Sequence, residues 1–188
     1  MKKLSRNSLI KLSIFTLIGF PFLALIIHLL FTNNSFISIF VSKSNLLFEF
    51  LAGIVSGSFI GYFAWKIISM KFMKPVLSKY QKMIISSDID IQLIFFISFC
   101  AGVGEEILFR GVIQPLAGIW ITSILFVAIH GYLNPMNWRI SIYGVFLTVS
   151  IAFVGFLCNY LGLTCAIVSH MIIDIILFYK LKGLKFNA

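Results

Sequence analysis

Apolar residues fill this chain in long, nearly unbroken runs, without the strict alternation of a half-buried strand or the narrow stripe of a soluble helix. The runs cover about 9–31, 46–65, 91–114, 116–133, 140–158 and 162–179. Each approaches the roughly 20 residues that a helix needs to cross a hydrocarbon core of about 30 Å. The pattern therefore predicts an all-α, polytopic transmembrane helix bundle of about six spans. The basic start before the first run resembles a signal peptide, but the run is too long, and Phe31-Thr32-Asn33-Asn34 offers no small-x-small cleavage site. An uncleaved first span, kinked at Pro21, is the expectation. His28 near its end is expected to be an interfacial side chain, not a ligand. Between the third and fourth runs, Gln114-Pro115 leaves room only for a near-direct reversal, because proline disfavours helix continuation.

Composition places these runs in a bilayer instead of a soluble core. Hydrophobic residues make up 60% of the 188 positions and charged ones 11%, against roughly 45–50% apolar for an ordinary globular domain. No linker, repeat or low-complexity tract divides the chain, so residues 1–188 are expected to form a single integral membrane domain, with a motif-bearing core at about 91–180. The net charge of +9 is not gathered on a polar surface. Lys2, Lys3, Arg6 and Lys11 precede or begin the first run, Lys66, Lys71, Lys74, Lys79 and Lys82 fill the one long polar loop, and Lys180, Lys182 and Lys185 close the chain. That distribution argues against nucleic acid as a partner and predicts a multi-pass protein of the cell membrane with both termini cytoplasmic. Cys100, Cys158 and Cys165 lie inside apolar runs without C-x-x-C spacing, which suits buried small hydrophobes better than a disulfide framework or a cysteine zinc site.

Against this background the segment ISFCAGVGEEILFRGVIQPL stands out, with Glu105, Glu106 and Arg110 inside six residues. A charged side chain at the centre of a membrane helix costs roughly 2.5–3.5 kcal/mol even on the lenient insertion scale, so chemistry is the default explanation. Glu106 and Arg110 are four apart and share a helix face, where an ion pair makes their burial tolerable. Glu105 projects about 100° away and is free to face a cavity. Gly102 and Gly104 permit close approach of a neighbouring helix. Two further pairs have the same spacing of four: Phe126 with His130, which lays a ring against an imidazole, and His170 with Asp174. A single intramembrane histidine is as often a satisfied structural group as a functional one. Three acids, one arginine and two histidines in one bundle are much harder to explain by packing alone.

Glu105-Glu106-x-x-x-Arg110, Phe126-x-x-x-His130 and His170-x-x-x-Asp174 resemble, in order and spacing, the signature of the CPBP family of intramembrane proteases, the CaaX protease and bacteriocin-processing or Abi group. The resemblance covers about residues 95–180; the first two spans match only as hydrophobic segments. The chain is shorter than the eukaryotic CaaX-processing members, and Asp174 stands where those usually carry Asn. The resemblance implies a glutamate-dependent endopeptidase acting on a membrane-associated peptide or protein within the lipid bilayer, with no obligatory metal or other cofactor.

The residue chemistry is compatible with that implication. Glu105 and His130 are suited to hold a water between them, with Glu105 as general base, while His170 and Asp174 face the carbonyl oxygen. Asp174 either donates as a protonated acid or orients His170. Two other readings remain open at this level. Glu105, His130, His170 and Asp174 also make a plausible Zn²⁺ set, although no H-E-x-x-H is present. A non-proteolytic bacteriocin self-immunity or transport protein is the third, although carriers usually show inverted repeats and none is visible.

Overall fold

The computed structural model describes residues 5–87 and 89–183; Lys2, Lys3 and Lys185 of the expected basic flanks lie outside the described residues. Its helices are α1 (Arg6–Phe31), α2 (Leu46–Ile68), α3 (Lys74–Ser86), α4 (Ile91–Ala117), α5 (Ile119–Ile129), α6 (Trp138–Tyr160) and α7 (Leu163–Leu181). No strand occurs among the described residues. Five helices, α1, α2, α4, α6 and α7, are long and apolar enough to cross a membrane. Large apolar side chains such as Phe15, Val55, Phe59, Trp120, Ile121 and Val145 point outward, as a bilayer solvent allows and water would not.

Where the sequence pattern predicts about six spans, five helices among the described residues reach crossing length, and the difference falls on the fourth apolar run. Its helix α5 has 11 residues and is about 16 Å long, half of what a crossing requires. The reversal before it also lies elsewhere than expected. Helix continues through Gln114-Pro115 because Pro115 sits in the first turn of a new α-helical stretch, where a missing N–H is harmless. The turn is made instead by Gly118, whose φ of +81° is open to glycine and strained for other residues. Between the two α-helical parts of α4, Phe109–Ile113 form one wider π turn, in which the Gln114 N–H reaches the Phe109 carbonyl.

Sequence sets most of the remaining boundaries through side-chain caps. Ser5 accepts from the Ser8 N–H, Asn45 from Leu47 and Phe48, Asp90 from Leu93, and Asn137 from Ile140. The exceptions are α3, which follows Met73 with Pro75 in its first turn, and α5 and α7, each opening at a glycine without a side-chain cap.

α7 is the central helix, packed along α2 and against α4, while α1 lies on the outer side of α4. The expected close approaches at the α4 glycines are present. A Cβ added at Gly102 would lie 2.6 Å from Met171 on α7, and one at Gly104 would collide with the Thr16 carbonyl on α1. α1 runs through Pro21 as one helix. His28 is not at the surface but buried, and its ring nitrogen Nε2 lies 2.8 Å from the Asn34 carbonyl, tying down the chain that leaves α1. The three cysteines are free and buried.

Candidate active site

The short return helix brings distant residues level with one another. Glu105 stands thirteen residues before Gly118 and His130 twelve after it, so both lie about 18–20 Å from the reversal along antiparallel helices. A full fourth span would have carried its final residues well past Glu105. Because α5 stops at Ile129, His130 becomes its C-terminal cap and its Nε2 lies 3.4 Å from Glu105 Oε2. Its other nitrogen, Nδ1, is 2.6 Å from the Phe126 carbonyl. A carbonyl only accepts, so Nδ1 carries the proton and Nε2 is the nitrogen presented to Glu105.

Glu106 makes the expected pair with Arg110, Oε2 to Nε 3.3 Å, with both side chains wholly buried. It also makes one that the sequence did not suggest: Glu106 Oε1 lies 2.9 Å from His170 Nδ1. A carboxylate accepts, so Nδ1–H donates and the ring is oriented with Nε2 toward Asp174 Oδ2, 3.7 Å away. Glu106 thus links the arginine and the second histidine. His170 therefore has a carboxylate on each side, Glu106 at Nδ1 and Asp174 near Nε2. No sequence signal could have found the pair of Glu106 with His170, since 64 residues separate its members.

Phe126 is the packing hub of the centre. Its ring stacks on His130 at 4.5 Å and 28°, meets His170 edge-on at 5.6 Å, and lies 5.4 Å under the Arg110 guanidinium. The second half of α4 is tied to α6 by two bonds from the Gln114 amide, 3.0 Å to the Gly155 carbonyl and 2.9 Å to Asn159 Oδ1. These hold the carboxylates at a fixed rotation about α4.

Glu105, Phe126, His130, His170 and Asp174 all line one cavity of about 340 Å³. α1 closes one side with Leu9, Ser13 and Thr16, and Tyr132 and Tyr143 close another. A smaller space of about 170 Å³ under α3 shares Tyr132, Tyr143 and Asp174 with it. Glu105 Oε2 has no hydrogen-bond partner among the described residues and lies beside an imidazole nitrogen, and the Glu105 side chain lines a cavity large enough for water. The tyrosines and the α1 wall were missed in the sequence because nothing in a run of apolar and aromatic residues marks which of them face a cavity. The zinc alternative requires several ligands to converge at coordination spacing. Among the described residues no group of three or more His, Cys, Asp or Glu does so.

Outside the spans, Asp90 caps α4 and meets Arg6 at 2.6 Å, joining the starts of α1 and α4. The Leu93 N–H, and then the Arg6 guanidinium, hold its carboxyl below the usual carboxylate range.

Residues 88–176 match the family model described as Rce1-like, type II CAAX prenyl endopeptidase Rce1-like. No curated protein and no solved structure matches the chain.

Proposed function

We propose that this multi-pass membrane protein is an intramembrane protease of the CAAX type, as the match of residues 88–176 to the Rce1-like family model supports, and that it hydrolyses peptide bonds with Glu105 as general base. The observation that carries the reading is the convergence of Glu105, His130, His170 and Asp174 on one cavity. Glu105 takes a proton from a water held between its carboxylate and His130 Nε2, and the water oxygen bonds to the scissile carbonyl carbon. The carbonyl oxygen gains negative charge opposite His170 Nε2 and Asp174, where a second proton on the imidazole, or one on the carboxyl, makes a donor. Collapse breaks the C–N bond, and the proton on Glu105 passes to the departing nitrogen.

The substrate is a membrane-associated peptide or protein. Lining by Leu9, Leu12, Ile97, Leu147 and Ile151 suits an apolar stretch threaded from the bilayer, with few groups to bind polar side chains. Under the positive-inside rule the basic residues of α3 and the start of α1 favour cytoplasmic termini, which five crossing helices allow because α5 and the loop after it return the chain to the side of α3, where Trp138 stacks on Phe72.

The test is cleavage of membrane-anchored peptides by protein reconstituted in liposomes, with fragments read by mass spectrometry. Wild type is expected to cut and Glu105→Gln to be silent while remaining folded. Undiminished cleavage by Glu105→Gln would remove the base from the scheme. Absence of cleavage by the wild type across a broad peptide set would favour a binding or immunity role.

A further inference from the structure

Glu49 is an acid in the otherwise apolar opening of α2, and it is 0% exposed. The apolar run 46–65 contains no other acid, so it carried the signal of an intramembrane ionisable group, yet it lies outside the three motifs. Its Oε1 accepts one long bond, 3.4 Å, from the Ser44 N–H, and Oε2 has no hydrogen-bond partner among the described residues. Both oxygens bear on Gly162: a Cβ added there would lie 2.6 Å from each. Gly162 immediately precedes α7 at a φ of +129°, and no side chain of its own segment caps that helix. The first N–H groups of α7 have no partner within the helix, and they begin where the Glu49 carboxylate is packed.

Three glycines follow Glu49 at intervals of four, Gly53, Gly57 and Gly61, on the same face of α2. A Cβ at Gly53 would lie 2.9 Å from the Cys165 carbonyl, one at Gly57 2.5 Å from the Ser169 carbonyl, and one at Gly61 3.0 Å from Ile176. The contacts climb both helices together, so α2 and α7 run parallel, in near backbone contact, with their N-termini side by side. Each N-terminus carries roughly half a positive charge, and parallel packing sums the two. One buried carboxylate at the head of the stripe offsets both. Ser56 adds a 2.6 Å hydroxyl bond to Ser169, the residue before His170.

We propose that Glu49 is a positioning residue: its buried carboxylate lies against Gly162 at the positive end of α7 and, through its charge, sets the axial position at which α7 presents His170 and Asp174 to the cavity. The consequence for turnover rests on the protease reading, while the effect on α7 does not.

Two readouts separate these. The first is hydrogen exchange of the peptide covering residues 163–172, whose amides beyond the first turn are helix-bonded, in the purified full chain, and the second is kcat and KM in liposomes. In Glu49→Gln, exchange rises and kcat falls, each by about 10-fold, with KM within about twofold, as expected for loss of a buried helix-terminal charge. Thr164, in the first turn of α7, is the place to return that charge. Adding Thr164→Asp to Glu49→Gln restores exchange and kcat to within about threefold of wild type, because the carboxylate now comes from α7 itself. Unchanged exchange in Glu49→Gln, or failure of Thr164→Asp to restore it, overturns the proposal. Should Glu49→Gln not accumulate, the double variant is expected to accumulate with slow exchange, and its failure to do so counts equally against the proposal. A wild type that cuts nothing strikes the protease reading and leaves the exchange result to decide the role of Glu49.

Discussion

Glu106 is engaged on both oxygens, paired with Arg110 at 3.3 Å and hydrogen-bonded by His170 at 2.9 Å, in a buried setting; Glu105, one residue earlier, has His130 at 3.4 Å and a cavity in front of it. The two carboxylates share a helix and a chemistry. The roughly 100° turn between successive residues sends one into the packed junction of α4, α6 and α7 and the other toward open space. A paired carboxylate is a fastening, because its lone pairs are committed to donors that stay in place. An oxygen beside water-sized room is free to exchange a proton. The difference teaches that the function of a buried acid is decided by what remains unoccupied around it more than by its depth.

The comparison breaks most sharply at Glu105 itself. Glu105→Gln is expected to lower kcat by about 10²–10⁴-fold, the range of a lost general base, while leaving the unfolding midpoint within a degree or two of wild type. Equal losses of activity and stability would place Glu105 in the scaffold with its neighbour.

On the other flank, Arg110→Leu strands Glu106 and is expected to destabilise by about 3–5 kcal/mol, read as lower yield and a lower thermal midpoint. Glu106→Gln keeps the shape, loses the charge facing Arg110 and weakens the link to His170. It is therefore expected to lose both stability and kcat, with the kcat loss about 10- to 100-fold on the precedent of groups that orient a reacting histidine. A Glu106→Gln protein that is unstable but fully active per folded molecule would reduce Glu106 to an arginine partner alone.

A smaller effect sharpens the cavity side. Because Glu106 already orients His170, Asp174→Asn is expected to keep kcat within about 10-fold of wild type, as a neutral donor toward the carbonyl oxygen. Exhaustive chelation is expected to leave activity intact. Loss on chelation with rescue by Zn²⁺, together with a dead Asp174→Asn, would recast the cavity residues as ligands.

The smallest effect lies at the rim. The Asp90 carboxyl titrates below its ordinary range in the folded protein, so the stability it supplies is present above the unfolded value of about 3.8 and fades as pH falls through the folded value. Asp90→Asn is expected to flatten the decline of the unfolding midpoint between about pH 5 and 3 without altering cleavage at neutral pH. A decline equally steep in the variant would assign acid sensitivity to other carboxylates.

How much of this was legible beforehand follows from the range of each interaction. Spacings of four placed Glu106 beside Arg110 and Phe126 beside His130, and both contacts are present, since neighbours on a helix face need no tertiary information. Apolar run length gave the helices and the bilayer. It overran at α5, because apolar composition measures solvent and not where a helix stops; the end at Ile129 is made by Gly131, at a φ of +76° just past the His130 cap, with the Tyr132 N–H returning to the Val127 carbonyl.

The sequence by itself determined that this protein lives in a membrane, which polar residues are too expensive there to be incidental, and which of them share a turn. Only the tertiary structure decided that a half-length return helix sets His130 level with Glu105, that Glu106 reaches across 64 residues to His170, and that Glu49 meets the start of α7. The physical reason is that solvent preference and helix periodicity are local properties of the chain. The meeting of two buried polar groups depends on how whole helices pack, and a glycine stripe or a positive φ fixes that packing only once every partner is in place.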